Sequence, residues 1–345
     1  MLSTQLQRIH KIPIPMPTTW LVGACMEARG KQDLWIQQKP EVLAALREQA
    51  IIQSAESSNR IEGVTVDPER LRPILLGKSR PRDRCEEELV GYRRALNWIY
   101  TQKSAVRIES NAILLLHEMA QGSFSGDAGK WKQRDNEIIE VMPNGDRRIR
   151  FVPTSAKETP KTIEQLCLSY AELCQHDQVP VLLSVATFVF DFLCIHPFRD
   201  GNGRASRLLT TLLLQNHGFS VSRYVSLERL IEETKQDYYE VLARCSVGWH
   251  DGKNELIPWW NYTLGILKRA YGEFERRVEN SAVTGKSELV RQTVLRQVAP
   301  FSLAEIQSQC PAASPQLIKK VLAQMKGSGV RLDGRGRGAK WEVIR

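Results

Sequence analysis

A mostly apolar run of fourteen residues, Leu182–Ile195, leads without a break into His196-Pro197-Phe198-Arg199-Asp200-Gly201-Asn202-Gly203-Arg204-Ala205-Ser206-Arg207, and Leu208, Leu209, Leu212 and Leu213 follow at helical spacing. Apolar periodicity on both sides of so polar a junction constrains this part of the chain to a buried helix, a short loop and a second helix. The loop's glycines allow positive φ and close backbone approach. Free N–H groups and the positive dipole end at the start of the second helix attract anions. Arginines clamp phosphate oxygens in forks. A junction of this composition is built to hold a polyphosphate.

The rest of the chain reads as helical at the same spacing over Glu41–Asn59, Pro68–Leu76, Glu86–Tyr100, Ser110–Ala120, Lys161–His176, Arg204–Asn216, Leu227–Ser246 and Ile257–Val278. One place departs from it. Ile138–Met142 and Arg148–Val152 are β-prone and flank Pro143-Asn144-Gly145-Asp146, where Asn-Gly is a strong hairpin signal. The expected fold class is therefore all-α with one β-hairpin.

At 345 residues the chain is long enough for two or three domains. Three regions are expected: 1–110, helical; 111–280, the core around the polar junction; and 285–345, a basic module. Seven scattered cysteines without metal-ligand spacing suit a reduced, cytoplasmic chain rather than a disulfide scaffold. No signal-peptide type of apolar region is read in Met1–Pro17, and Val179–Ile195, interrupted by Pro180 and Asp191, is too short and mixed to span a bilayer.

The net charge of +9 is uneven: residues 285–345 hold eleven Lys/Arg against four acids. Within that module, Glu288–Val298, Leu303–Cys310 and Pro315–Lys326 read as helices. Ser302-x-x-Glu305 forms a capping box, and Ser314 with Pro315 forms a helix start. Two short β-prone runs around a Gly/Arg-rich turn, Asp333–Ala339, complete a winged-helix order. Lys319, Lys320, Arg335 and Arg337 would then face DNA phosphates; a protein-docking module is the equal alternative.

The junction matches His-Pro-Phe-x-Asp/Glu-Gly-Asn-Gly-Arg-x-x-Arg at every fixed position, and on those residues the chain resembles the Fic-domain proteins over roughly residues 50–275. The resemblance implies a helical fold with a hairpin flap that captures a target segment by strand addition, and transfer of AMP from ATP to a Ser, Thr or Tyr hydroxyl of a protein, the chain itself included. His196, with an ordinary pKa of about 6.5, suits the base that takes the hydroxyl proton. Asp200 is a hard-oxygen ligand placed for Mg²⁺ on the phosphates. Gly201 and Gly203 free amides for an anion nest, Asn202 donates to an α-phosphate oxygen, and Arg204 and Arg207 neutralise the β- and γ-phosphates, with Ala205 in the same cradle.

By resemblance, Tyr238 and Tyr239 border an adenosine pocket, with core packing as their plain alternative. Ser246 stands where some relatives carry an amide, and Lys132 where the family has an arginine. Ser58-Asn59-Arg60-Ile61-Glu62-Gly63 resembles the family's inhibitory pattern. Ser58 and Glu62 share a helix face, Gly63 is a natural stop, and the resemblance implies that Glu62 pairs with Arg207 in the γ-phosphate subsite. Removal of AMP, phosphate transfer, and a nucleotide-sensing DNA-binding regulator are the rival readings. A homodimer is compatible with the sequence.

Overall fold

The computed structural model describes residues 4–344 apart from 39, 123–124, 142–144, 177–178, 284–285, 298–299, 312 and 335–339. The chain divides into two units, Met1–Gln37 with Ala45–Glu273, and Gln38–Ala44 with Phe274–Arg345. Most of the N-terminal helical region falls in the first of these units.

A 3₁₀ segment, Gln5–Lys11, precedes α1 (Met16–Gln38), α2 (Pro40–Ile61), α3 (Pro68–Leu75), α4 (Arg84–Thr101) and α5 (Ser110–Gln121). A two-stranded ribbon, β1 (Ile138–Val141) and β2 (Arg147–Phe151), separates these from α6 (Thr159–His176), α7 (Val181–Ile195) and α8 (Asn202–Asn216). α9 (Leu227–Glu233), α10 (Lys235–Ser246) and α11 (Ile257–Val283) follow. Every residue of α7 from Leu182 to Ile195 is buried, so α7 is the axis against which α6 and α8 pack. This explains its all-round apolar sequence. α4 and α5 lie against each other and against α8. Gly91 permits the approach, because a Cβ there would sit 2.2 Å from the Met119 carbonyl oxygen.

One helix carries no expectation from the sequence, and one expectation needs correction. α1 lacks the spacing that marks the other helices, since Met16, Trp20, Met26 and Leu34 are exposed around it while Cys25 is buried. The expected single helix Leu227–Ser246 is two helices. Thr234 breaks it at φ −120° and ψ 33°, with its hydroxyl bonded to the Leu230 carbonyl and the Tyr262 hydroxyl.

The ribbon is antiparallel, pairing Ile139 with Ile149 and Val141 with Arg147, with an irregularity between Ile138 and Ile139. Gly145 has φ +88°; Met142, Pro143 and Asn144 of the expected turn lie outside the described residues.

In the second unit, α12 (Lys286–Leu295), α13 (Leu303–Gln309) and α14 (Pro315–Met325) precede an antiparallel pair, β3 (Val330–Asp333) and β4 (Lys340–Val343). Phe301 bridges to Trp341 at the edge of that pair. Val290, Val294, Phe301, Ile306, Ile318 and Leu322 are among the side chains of its own small core. Both halves of the Ser302–Glu305 capping box are made, and Ser314 caps α14 through the Leu317 N–H. Arg335 and Arg337 lie outside the described residues.

Candidate active site

Residues 196–201 form a tight loop between two buried helices. Phe198 anchors it, fully buried, its ring stacked on His117 of α5 at 3.6 Å and on Trp131 at 5.2 Å. Asn202 closes it: the Phe198 N–H donates to the Asn202 side-chain oxygen at 2.9 Å, and the Asn202 amide donates to the Phe198 carbonyl at 2.8 Å. The same amide that is expected to donate to phosphate also staples the loop's neck. His117 holds the far side. It accepts from the Gly129 N–H at 3.1 Å through Nδ1, which leaves Nε2–H to donate to the Asp200 carbonyl at 2.9 Å. Burial pushes its pKa down to about 4, against the pull of that carbonyl, so the ring is neutral. Gly201, at φ +78°, caps α8, and a Cβ there would meet the Gln121 amide at 2.4 Å. The N–H groups of the first turn of α8 precede any intrahelical acceptor, the feature of a helix start that attracts anions; the Ala205 N–H is the first to bond within the helix, to the Gly201 carbonyl.

His196 is the C-cap of α7 at φ 51° and ψ 61°, the one non-glycine with positive φ among the described residues. A side chain held in that region is strained backbone kept in place by its surroundings. Its Nδ1 lies 3.3 Å from the Leu193 carbonyl, which assigns the proton to Nδ1 and leaves Nε2 as an acceptor. Burial lowers its pKa to about 4, opposed by the Leu193 carbonyl and reinforced by Lys132. Lys132 is itself buried and pushed down to about 8 by desolvation; its ammonium donates to the Ile195 carbonyl at 3.2 Å and to Asn136 at 2.8 Å. At the arginine position of the family pattern, the lysine thus braces the end of α7 as a point donor.

Charge gathers on both flanks of the loop. On one, Arg84 of α4 contacts the Asp200 carboxylate and donates to Glu88 at 2.7 Å. Glu88 and Arg204, each 2% exposed, meet at 2.6 Å as an ion pair off the N–H direction. Arg204 also reaches Gln121 at 3.4 Å and Asp200 at 3.7 Å. Burial alone would raise the pKa of Asp200, but Arg204, the Gly201 N–H and Arg84 hold it below the usual carboxylate range. Arg204, the residue expected to neutralise phosphate, has a buried carboxylate partner that the motif does not contain. Asp200 itself is 60% exposed. No three His, Cys, Asp or Glu side chains gather as a metal cluster among the described residues. One exposed carboxylate beside a helix start suits Mg²⁺, which takes one or two protein carboxylates and completes its shell with phosphate and water.

On the other flank, α2 ends against α8. The Arg207 guanidinium donates from Nε to the Ser58 hydroxyl at 2.9 Å, and from Nη2 to the Ser58 carbonyl at 2.9 Å and to Glu62 at 2.8 Å. Its Nη1 is buried without a hydrogen-bond partner. Glu62 lies so close over Gly203 that a Cβ there would stand 2.1 Å from its carboxylate oxygen. Gly63 stops the helix at φ +78°. Arg60 ties the same turn to α9, contacting Glu232 through Nε at 2.6 Å and Nη2 at 2.9 Å.

The two tyrosines separate. Tyr238 is 5% exposed and packs on Trp259 and Tyr262, the plain core role. Tyr239 is partly exposed, edge-on to Tyr238 at 5.1 Å, with the Lys235 ammonium 6.0 Å from its ring centre. Ser246 is buried, its hydroxyl donating to the Ala243 carbonyl at 2.8 Å. Arg84, Glu88, His117 and Gln121 were not anticipated as site residues. They meet the loop from 83 to 116 residues away, beyond the reach of any local pattern.

Residues 107–214 match the family model described as Fic/DOC family. The chain is 26% identical over 209 residues to "Protein adenylyltransferase Fic" of Nematostella vectensis, a match covering 58% of this chain and 44% of that protein. It thus spans less than half the length of this curated relative. A solved Fic family protein from Desulfovibrio desulfuricans G20 aligns over 96% of this chain and 97% of its own, at 20% identity and a TM-score of 0.62. A Fic domain containing signaling protein from Bacteroides thetaiotaomicron aligns over 74% and 97%, at 21% identity and 0.63. Fic-1 from C. elegans aligns over 76% and 73%, at 19% identity and 0.61. At such identities the likeness is one of fold, and it agrees with the mostly helical architecture. Residues 107–214 thus match the Fic/DOC family model, and the chain shares its fold with solved Fic family proteins.

Proposed function

We propose that this chain transfers AMP from ATP to a hydroxyl of a protein, itself included, and that Glu62 holds the activity back. The observation that carries the reading is the pairing of His196, with Nε2 free as an acceptor, and a glycine-lined helix start beside it. The name of the Nematostella relative points the same way. The Gly201–Arg207 segment cradles the triphosphate: its amides bind phosphate oxygens, and Arg207 neutralises the far end. Asp200 would hold Mg²⁺ against the phosphates, where the ion neutralises charge on the leaving group. His196 Nε2 takes the proton of the incoming hydroxyl as its oxygen attacks the α-phosphorus, and the bond to pyrophosphate breaks. The β1–β2 ribbon offers an edge to which an extended target segment pairs, bringing its hydroxyl to His196.

The inhibitory part of the reading rests on Glu62 and Ser58 occupying the Arg207 guanidinium. A γ-phosphate must compete with both. Glu62→Gly is expected to raise incorporation of α-labelled ATP into the protein, and adding His196→Ala to abolish it. An unchanged rate in Glu62→Gly removes the inhibitory assignment. AMP removal and phosphate transfer, the rival chemistries of this fold, are told apart by the mass that a modified target gains or loses.

A further inference from the structure

We infer that Glu88, a buried carboxylate on α4, is a positioning residue that sets how firmly Asp200 grips a divalent cation, by giving Arg84 and Arg204 an alternative partner. The inference rests on the proposed role of Asp200 as the metal ligand.

The four groups form a ring of two cations and two anions. Glu88 receives Arg84 Nε on one oxygen at 2.7 Å and faces Arg204 Nη1 with the other at 2.6 Å. Both arginines also reach the same oxygen of Asp200, Arg84 in direct contact and Arg204 at 3.7 Å. Burial divides the ring. Glu88 and Arg204 are 2% exposed, whereas Arg84 and Asp200 are 51% and 60% exposed. Asp200 is therefore the member free to turn toward a cation arriving with phosphate, and Arg84 is the member that must yield. Glu88 makes the exchange cheap, because it keeps one fork of Arg84 and the whole charge of Arg204 when Asp200 leaves them. Without its charge, both guanidinium groups would fall to Asp200 alone, and a divalent cation would have to displace two.

Two substitutions four residues apart on one helix should then move cation affinity in opposite directions. Losing Arg84 removes an exposed pair, which corresponds to a factor of about two to five. Losing the Glu88 charge leaves a buried guanidinium leaning on Asp200, a larger effect of roughly tenfold in the other sense. A purely structural role for α4 would lower affinity in both.

The experiment measures bound Mn²⁺ by electron paramagnetic resonance, on the full chain carrying Glu62→Gly, with a non-hydrolysable ATP analogue at fixed concentration. Arg84→Ala is expected to tighten Mn²⁺ binding and Glu88→Gln to weaken it, while Asp200→Asn removes the protein's contribution. Unchanged or weaker binding in Arg84→Ala overturns the inference, as does unchanged or tighter binding in Glu88→Gln. Should Glu88→Gln fail to fold by circular dichroism, Glu88→Asp, which keeps the charge but shortens its reach to Arg84 and Arg204, is expected to weaken Mn²⁺ binding, and unchanged or tighter binding overturns the inference. If Asp200→Asn binds Mn²⁺ as well as its parent, the ligand assignment itself fails, a result distinct from failure of the Glu88 role.

Discussion

His196 shows how the fold sets the state of one side chain. Its left-handed backbone turns the ring out of the helix end, the Leu193 carbonyl assigns the proton to Nδ1, and burial lowers the pKa to about 4. A ring depressed to that value is unprotonated throughout the physiological range and becomes blocked only as pH falls toward 4. The acid limb of kcat/KM for self-modification by Glu62→Gly reports the free enzyme's base. That limb should have its midpoint well below 6.5; a midpoint at or above 6.5 would show the imidazole to be unperturbed. Much of this residue was legible in the sequence, because base, carboxylate, glycines and arginines lie within twelve consecutive positions. The partners of those residues were not. Glu88 and His117 sit on helices whose spacing announces only a buried face, and nothing local marks which polar residue on such a face meets the loop. For the same reason the motif shows nothing of the intramolecular partners of Asn202 and Arg204, the Phe198 backbone and Glu88.

At the scale of elements, α2 and α8 form a latch across Arg207. Three acceptors share its guanidinium: the Ser58 hydroxyl, the Ser58 carbonyl and the Glu62 carboxylate. Ser58→Ala removes one neutral acceptor from a charged donor, an interaction worth about 1.5–3 kcal/mol when unreplaced. The backbone carbonyl and Glu62 stay in place. Labelled-ATP incorporation in Ser58→Ala should therefore rise roughly tenfold, short of the Glu62→Gly rate; a rise equal to or above that rate would move the latch's strength from the carboxylate to the serine. Helices with a regular apolar stripe were read within a few residues of their ends, and Asn-Gly marked the ribbon. α1 was missed because its apolar side chains are scattered around it, and the break at Thr234 was missed because a hydroxyl's choice of partner leaves no periodic trace.

On the scale of the whole molecule, the chain joins a helical unit containing the stretch that matches the Fic/DOC family model to a basic second unit with its own core. Ile318, Val321, Leu322 and Met325 of α14 are buried in that core, which leaves Lys319 and Lys320 on the exposed face. Read as a duplex-facing module, it predicts that the full chain retards duplex DNA in a gel with a steep salt dependence. The double substitution Lys319→Ala/Lys320→Ala should then lower the log–log slope by about two. Retardation that is absent or indifferent to salt would assign the module to protein docking. Among the described residues no helix is long and apolar enough to cross a membrane. The claim on which the rest depends is that His196 and the loop after it move AMP, with Glu62 as the restraint. Intact-mass spectrometry of the full chain carrying Glu62→Gly, after incubation with ATP and Mg²⁺, tests it most directly. A gain of whole AMP units that His196→Ala eliminates is the predicted result; a gain of phosphate, or no gain at all, would contradict it.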